Sequence, residues 1–229
     1  MRQIKEYLST KVVNTKIKAT NETIRQIVKD ELDRLGYDAD LNYIDVSKVT
    51  DMQNLFRCDD FGIGKKYKDL NPDISRWDVS NVEDMSFMFR KAKMFNCDIS
   101  NWHVSKVKDM KFMFYECKQF NQDLSQWDVS KVETMWCMFN ACYNFNKDIS
   151  RWDVRNVENM CFMFCNCENF NQDLSKWDVG KVVDMDYMFI GCKKFNQDLS
   201  GWNVSSVKYE KQIFDNCPIE EKYKPKFKK

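Results

Sequence analysis

Apolar and polar residues follow one 25-residue pattern along most of the chain. Six tryptophans mark it, each 25 residues after the last: Trp77, Trp102, Trp127, Trp152, Trp177 and Trp202. Each lies in the phrase F-N-x-D-I/L-S-x-W-D-V-S-x-V-x-D-M-x-x-M-F-x-x-C. A fixed period of about 20 to 50 residues is typical of proteins that stack structural repeats. The period therefore favours an elongated repeat protein with an extended binding surface over a pocket enzyme.

Two apolar spacings follow each other inside one repeat. In the second full copy, Trp102 and Val104 alternate with polar residues, which suits a short strand. The spacing i, i+3, i+6, i+7, i+10 of a helical face follows at Val107, Met110, Met113, Phe114 and Cys117. One coil is thus predicted to be a short strand, a tight turn and a helix of about three turns. The Trp ring is predicted to lie in the core.

These coils predict an α/β fold, a leucine-rich-repeat-like solenoid of about seven 25-residue strand-turn-helix coils with a helical N-terminal cap. A pure β-helix is the alternative, because helices of about ten residues are marginal alone. The repeats span residues 44–217, and their cryptic first copy is followed by an insertion loop at about 57–69. Insertions in such proteins map to loops on one face, often a working face.

The two ends of the chain do not follow the repeat. Residues 1–43 are predicted to form the N-terminal helical cap, with a helix that is N-capped by Thr20 or Asn21 and ends near Leu35. A shorter helix is predicted before it, around Ile4 and Tyr7. Residues 218–229 are predicted to be a basic C-terminal tail.

Composition narrows the classes of partner. The 36 basic residues balance 35 acidic ones, so a nucleic-acid partner is not expected. No stretch approaches 18 consecutive apolar residues, so no membrane span is expected. The ten cysteines are predicted to be reduced, because equivalent positions on stacked helices would be too far apart for disulfides. Reduced thiols and a start without a visible signal peptide favour a cytoplasmic location.

The repeat phrase resembles a known family. V-x-D-M-x-x-M-F-x-x-C followed by F-N-Q-D-L-S-x-W-D-V-S is similar to the repeats of mycoplasma-type surface lipoproteins, which are grouped with the BspA-like leucine-rich-repeat proteins of bacteria. The resemblance covers about residues 44–217. It implies an adhesion or protein-recognition role, often at the bacterial cell surface, and no enzymatic activity.

Several residues could carry chemistry, and each also has a structural interpretation. One aspartate column precedes the predicted strand: Asp73, Asp98, Asp123, Asp148, Asp173 and Asp198. Its favoured role is to accept backbone N–H bonds at turns, and divalent-cation binding between coils is the alternative. Cys161, Cys165 and Cys167 lack a C-x-x-C pair for zinc. No catalytic motif is present, so no catalytic, cofactor-binding or metal site is predicted.

A recognition surface is the predicted functional site. Residues on either side of each Trp point away from the core and vary between copies. The candidate partner-binding residues are Arg76, Asp78, Asn101, His103, Gln126, Asp128, Arg151, Asp153, Lys176 and Asp178. The predicted function is non-catalytic recognition of a protein partner. The alternative is a structural subunit that self-associates through an aromatic ridge on the helix side, at Phe87, Phe112, Phe162 and Tyr187.

Overall fold

The computed structural model describes residues 16–227, and regular secondary structure occupies little of this part of the chain. Strand β1 (Ile17–Lys18) pairs in parallel with strand β2 (Ile44–Asp45), and helix α1 (Ile24–Leu35) connects them. Two short 3-10 helices follow at Lys65–Tyr67 and Glu221–Tyr223. The helix predicted around Ile4 and Tyr7 lies outside the described residues.

Helix α1 closes the N-terminal end of the repeats. Ile24, Val28 and Leu32 recur every four residues, and all three are buried. The helix ends at Leu35 as predicted, and Gly36 follows in the left-handed region at φ 103°. It begins at Ile24, and its N-cap residue is Thr23, two to three residues later than the predicted cap at Thr20 or Asn21.

The predicted leucine-rich-repeat-like solenoid of strand-turn-helix coils is wrong. Apart from β2, residues 44–217 contain no strand and no α-helix, and the only sheet among the described residues has two strands. Each 25-residue repeat is instead a chain of tight turns closed by hydrogen bonds between residues three apart. In the second full copy, the N–H groups of Trp102, Val107, Met113 and Cys117 donate to Ile99, Val104, Met110 and Phe114.

Turns of this kind explain why the pattern indicated a helix. A turn closed between residues i and i+3 brings both to the inner side of the chain. Met110, Met113 and Cys117 are therefore buried together, as they would be along one face of a helix. Two apolar residues at i and i+3 are common to the two structures. The hydrogen bonds from i to i−4 that define a helix are absent from this segment.

Two residues in each repeat turn the backbone out of a helical path. The first has φ between 48° and 59°, and the second between 54° and 73°. The first column contains Phe87, Phe112, Cys137, Phe162, Tyr187 and Gln212, and the second contains Lys91, Glu116, Ala141, Asn166, Gly191 and Asn216. Left-handed backbone is costly for residues other than glycine and is retained where surrounding contacts determine it.

Those contacts are backbone hydrogen bonds to the following repeat. Met110, Phe112, Phe114 and Glu116 donate their N–H groups to the carbonyl groups of Thr134, Trp136, Met138 and Asn140, at 2.8 to 3.1 Å. Isolated parallel bridges run in the same place through successive repeats, from Asp51 to Tyr209. The segment predicted to be helical is therefore the one that joins the repeats, and the segment predicted to be a strand turns between them.

The core is a set of aromatic columns that run the length of the repeats. Phe56, Phe89, Phe114, Phe139, Phe164, Phe189 and Phe214 stack with ring centroids 5.4 to 5.8 Å apart. The tryptophans are buried beside them, as predicted. Each indole N–H donates to a carbonyl group of the preceding repeat, as Trp127 does to Ile99 at 3.1 Å. This bond gives the one polar group of each buried ring a hydrogen-bond acceptor.

The turn-built repeat predicts an unusual response to glycine at position 116. Glu116 has φ 59°, and Gly191 occupies the equivalent place three repeats further along the second column. Relief of left-handed strain offsets the entropy that glycine adds to the unfolded chain, so Glu116→Gly should change the free energy of unfolding by between zero and a gain of about 1 kcal/mol. Urea denaturation provides the measurement.

Glu116→Val is the matched control, because a β-branched residue is strained at this φ. We expect it to lose about 1 to 3 kcal/mol. In a helix interior the order would differ, since glycine there costs about 1 kcal/mol relative to alanine. A loss of that size for Glu116→Gly would contradict the turn.

Candidate recognition surface

Most polar side chains of the repeats are used to hold neighbouring repeats together. In the asparagine column, each Oδ1 accepts the backbone N–H of the asparagine 25 residues later, at 2.8 to 3.0 Å. These residues are Asn71, Asn96, Asn121, Asn146, Asn171 and Asn196. Each bond satisfies a backbone donor that the turn leaves without a partner, so the column is structural.

Lysines in other columns also bond to the preceding repeat. Lys106 Nζ donates to Asn81 Oδ1 at 2.6 Å, and Lys194 Nζ donates to Asn169 Oδ1 at 2.6 Å. Lys193 forms an ion pair with Glu168 at 2.8 Å. Pairs this exposed contribute little stability each, but they restrict the side chains and leave them less available to a partner.

The aspartates of the first column accept backbone N–H bonds at turns, the role that the sequence favoured for them. Each Oδ1 accepts the backbone N–H of the serine two residues later, at 2.8 to 3.0 Å. The pairs run from Asp73 with Ser75 to Asp198 with Ser200. The residues directly after the tryptophans form a second aspartate column, which Asn203 continues. It makes the same bond, for example between Asp128 and Ser130 at 3.0 Å. An aspartate that bonds two residues ahead initiates a turn, so these carboxylates form corners of the repeat.

The candidates that precede each tryptophan, together with His103, differ from those columns because the fold makes little use of their side chains, whereas Asp78, Asp128, Asp153 and Asp178 form corners of the repeat. All ten are exposed except Asp153, which is half-buried. The side chains of Asn101, His103, Arg151 and Lys176 make no hydrogen bond or ion pair with other residues of the described part, 16–227. Arg76 lies 3.7 Å from Asp40, and Gln126 donates to Ser125 at 3.3 Å. Their positions carry charge and hydrogen-bonding capacity that the fold does not consume.

Four candidate residues lie together around one shallow concavity. Arg151, Asp153, Lys176 and Asp178 line a volume of about 540 Å³ on the surface of two successive repeats. The side chains of Arg151 and Lys176 are positively charged, and Asp178 contributes a carboxylate that also accepts the N–H of Gly180 at 3.1 Å. The remaining candidates extend the same columns toward the N-terminal end and are not part of this concavity.

Three polar residues of the concavity were not predicted from the sequence as part of the recognition surface. They are Asp148, Ser150 and Arg155. Arg155 stands where most other copies have serine, and its Nε donates to Asp153 Oδ1 at 2.8 Å. The replacement of the repeated serine by arginine at position 155 could have indicated a residue with a role other than turn formation. Asp148 and Ser150 match the repeat consensus, so nothing in the sequence distinguished them from their structural equivalents.

The predicted insertion loop is fixed to the repeats by a buried carboxylate. Asp59 accepts from Arg57 at 2.6 Å and from Arg90, in the next repeat, at 3.3 Å. Burial would raise the pKa of Asp59, but the bonds from Arg57 and from the Phe61 N–H outweigh it and hold its pKa below the usual value. Phe61 at the loop tip is 80% exposed. The loop therefore presents an aromatic ring from a supported position.

The rings of the aromatic ridge are partly buried by contacts between repeats. Phe87 stacks on Phe112 with centroids 4.9 Å apart, and Phe162 stacks on Tyr187 at 4.5 Å. All four rings are half-buried. Left-handed backbone at these positions turns the rings toward the neighbouring repeat, although the helical interpretation placed them nearly opposite the core. Self-association through them stays a prediction.

The cysteines are free thiols, and most of them are buried. Cys117, Cys142, Cys167 and Cys192 each donate to a phenylalanine carbonyl of the preceding repeat, at 2.9 to 3.0 Å. Burial raises the pKa of the Cys142 thiol well above its usual value, so it stays protonated and can donate. Among residues 16–227, no three or more His, Cys, Asp or Glu side chains are grouped so that they could hold a metal ion.

Comparison with known proteins identifies one match. A family model described as "Mycoplasma protein of unknown function, DUF285" matches residues 30–150 and 122–224. This agrees with the resemblance to mycoplasma-type repeats, and it gives no support for the grouping with BspA-like proteins. No curated protein and no solved structure matches. In the described part of the chain, none of the helices has the length and apolar character needed to cross a membrane.

The aspartate corners predict acid sensitivity. Hydrogen bonds from the serine two residues later lower the pKa of Asp78, Asp123, Asp128, Asp148, Asp173 and Asp198. A carboxyl group with a lowered pKa in the folded state stabilises it above the unfolded pKa of about 3.9 and loses that contribution as the pH falls further. The free energy of unfolding in urea should therefore fall steeply below about pH 4.

The matched control removes the negative charge of these aspartates but keeps a side-chain oxygen that accepts the hydrogen bond. Asn203 in the second column already makes the corner bond, accepting from the Ser205 N–H at 3.2 Å. A variant with Asp123→Asn, Asp148→Asn and Asp173→Asn should fold and show a shallower loss of stability between about pH 4 and about pH 2.5. An unchanged slope would show that these carboxylates do not set the acid limit.

Proposed function

The chain belongs to the family described as Mycoplasma protein of unknown function, DUF285, and from that membership and the exposed columns we propose that it is a non-catalytic module that recognises a macromolecular partner. The partner would be a protein. One observation carries the proposal: most polar columns of the repeat are bonded internally, but the column that precedes each tryptophan holds side chains such as Asn101, Arg151 and Lys176, which make no such bond within residues 16–227. Free side chains on a rigid support are suited to binding, because little conformational freedom is lost in the backbone.

The concavity around Arg151 is the proposed centre of this surface. Its side chains alternate in charge, with Arg151, Arg155 and Lys176 against Asp153 and Asp178. Alternating charges favour a partner with a complementary arrangement and select against like charges in the wrong place. Arginine is common among residues that contribute strongly to binding, since its planar group makes several directed hydrogen bonds.

Adhesion is the finer form of the proposal. The resemblance to mycoplasma-type surface lipoproteins and BspA-like proteins supports it, with a partner outside the bacterial cell. The repeats would present the columns from Arg76 to Asp178 as one continuous face. The exposed Phe61 of the insertion would lie outside that face, on the side where the repeats bond to one another through residues 85–91.

The test compares two double variants that remove the same charge. Arg151→Ala with Lys176→Ala removes two free cations from the concavity. Lys193→Ala with Lys194→Ala removes two cations that are bonded to the preceding repeat. Proteins captured by the immobilised chain are identified, and their affinities for the purified variants are then measured by calorimetry. The first variant should weaken binding by about tenfold or more, and the second by less than about threefold.

Equal affinities for the two variants would overturn the assignment of this face. Circular dichroism and urea denaturation verify that both variants remain folded. Light scattering on the same samples tests the structural alternative. A polymer that grows with concentration would favour the self-associating subunit, and a monomer favours the recognition module.

A further inference from the structure

The backbone bonds between repeats leave one end of the stack open. Every interface uses alternate N–H groups of one repeat and alternate carbonyl groups of the next. At the last interface Met185, Tyr187, Phe189 and Gly191 donate to Tyr209, Lys211, Ile213 and Asp215, at 2.8 to 2.9 Å. The equivalent donors of the final repeat are the N–H groups of Glu210, Gln212, Phe214 and Asn216, which we call the edge donors. They have no acceptor among residues 16–227.

The edge donors are held in the geometry of the internal interfaces. Gln212 has φ 48° and Asn216 has φ 54°, so both keep the left-handed conformation of their columns. The carbonyl groups of residues 209, 211, 213 and 215 are bonded to the preceding repeat. These bonds fix the side of the segment that faces the preceding repeat. The edge donors, on the opposite side, are therefore preorganised for acceptors at alternate positions.

The C-terminal segment covers the apolar end of the core but not this row. Glu220 donates its N–H to Asn196 Oδ1 at 2.9 Å, and Tyr223 accepts from Leu199 at 2.8 Å. Ile219 is buried by the same packing. Tyr209, at the start of the row, is 56% exposed. The segment therefore completes the asparagine column and stops short of the edge donors.

The opposite end of the stack is closed by side chains. Arg25 of helix α1 donates to the carbonyl groups of Gln53 at 2.8 Å and Asn54 at 3.0 Å. Asn21 Oδ1 accepts from the N–H groups of Thr50 at 2.9 Å and Asp51 at 3.2 Å. In the row of carbonyl groups equivalent to the acceptors of the internal interfaces, that of Gln53 is thus bonded to the N-terminal segment, and the two ends of the molecule differ.

We propose that the edge donors dock a polypeptide segment of a partner protein that adopts the turns of a repeat and adds its carbonyl groups to the stack as a further repeat would. An exposed edge of this kind is a template for pairing with another chain. A second copy of this chain does not fit. Two such edges would oppose donors to donors, and the other end of the stack is occupied by Arg25 and Asn21.

The side chains around the edge define the segment further. Phe214 is half-buried and stacks on Phe189 at 5.7 Å, so it ends the aromatic column with a ring that an apolar side chain of the segment could contact. Glu210 and Lys211 are exposed and directly precede the segment that holds the buried Ile213. Charges of both signs on an edge oppose non-specific pairing. Glu210 and Lys211 would therefore favour a segment whose charges complement theirs. This edge is separate from the concavity around Arg151, and either proposal can fail alone.

The test uses a peptide that copies an internal acceptor segment. The probe is residues 182–191 of this chain with two lysines added at each end for solubility. It is titrated into the full-length 15N-labelled protein and followed by NMR. The amide resonances of the edge donors should shift together and saturate, and their hydrogen exchange should slow. The amides of Met185, Tyr187, Phe189 and Gly191 should not respond, because they are already bonded.

Matched controls use the left-handed positions. In the control peptide proline replaces the residue equivalent to Tyr187, whose φ is 59°. Proline fixes φ near −65°, so this peptide should not bind. In the protein, Gln212→Gly should retain binding, and Gln212→Pro should weaken it by about tenfold or more. Unchanged resonances elsewhere in the Gln212→Pro spectrum verify that the variant folds.

Three results would overturn the proposal. The first is the absence of a saturable shift at the edge donors with millimolar peptide. The second is slow exchange of these amides in the free protein, which would show that they already have acceptors. The third is a shift that depends on protein concentration without peptide, which would identify a second copy as the occupant.

Discussion

The fold depends on backbone hydrogen bonds that join each repeat to the next, between residues 24 positions apart. Met110, Phe112, Phe114 and Glu116 all donate forward to the next repeat. Such bonds require the N–H groups of alternate residues to point the same way, and the left-handed residues make this possible within a chain of tight turns. Each bond contributes only about 1 kcal/mol, but the same set recurs at every interface. Each repeat is therefore stabilised mainly by its neighbours.

This constraint decides which residues remain for function. Aspartates form the corners of the repeat, asparagines bond one repeat to the next, and the cysteine thiols and indole N–H groups satisfy inward-facing carbonyl groups. A side chain used in this way is copied from repeat to repeat because its bond is copied. Arg151 and Lys176 stand in a position with no such bond, and the position holds a different residue in nearly every copy. Structural repetition and chemical variation are thus separated by position.

The sequence predicted the burial of the tryptophans, the end of helix α1 at Leu35 and the exposure of the candidate residues. It did not predict the backbone. Spacing of apolar residues at i and i+3 is shared by helices and by consecutive turns, so Met110 and Met113 could not distinguish them. Asn166, Gly191 and Asn216 in one column are typical of left-handed backbone and could have indicated a turn there. The first left-handed column holds phenylalanine and tyrosine, which carry no such signal.

The most direct test of the account identifies the acceptor of one amide. NMR detects scalar coupling across a hydrogen bond, from the donor nitrogen to the acceptor carbonyl carbon. The structure places the carbonyl oxygen of Trp136 at 2.8 Å from the Phe112 nitrogen. We therefore expect coupling between the Phe112 nitrogen and the Trp136 carbonyl carbon. A helix would couple Phe112 to Lys108, four residues earlier, and that result would contradict the turn-built repeat.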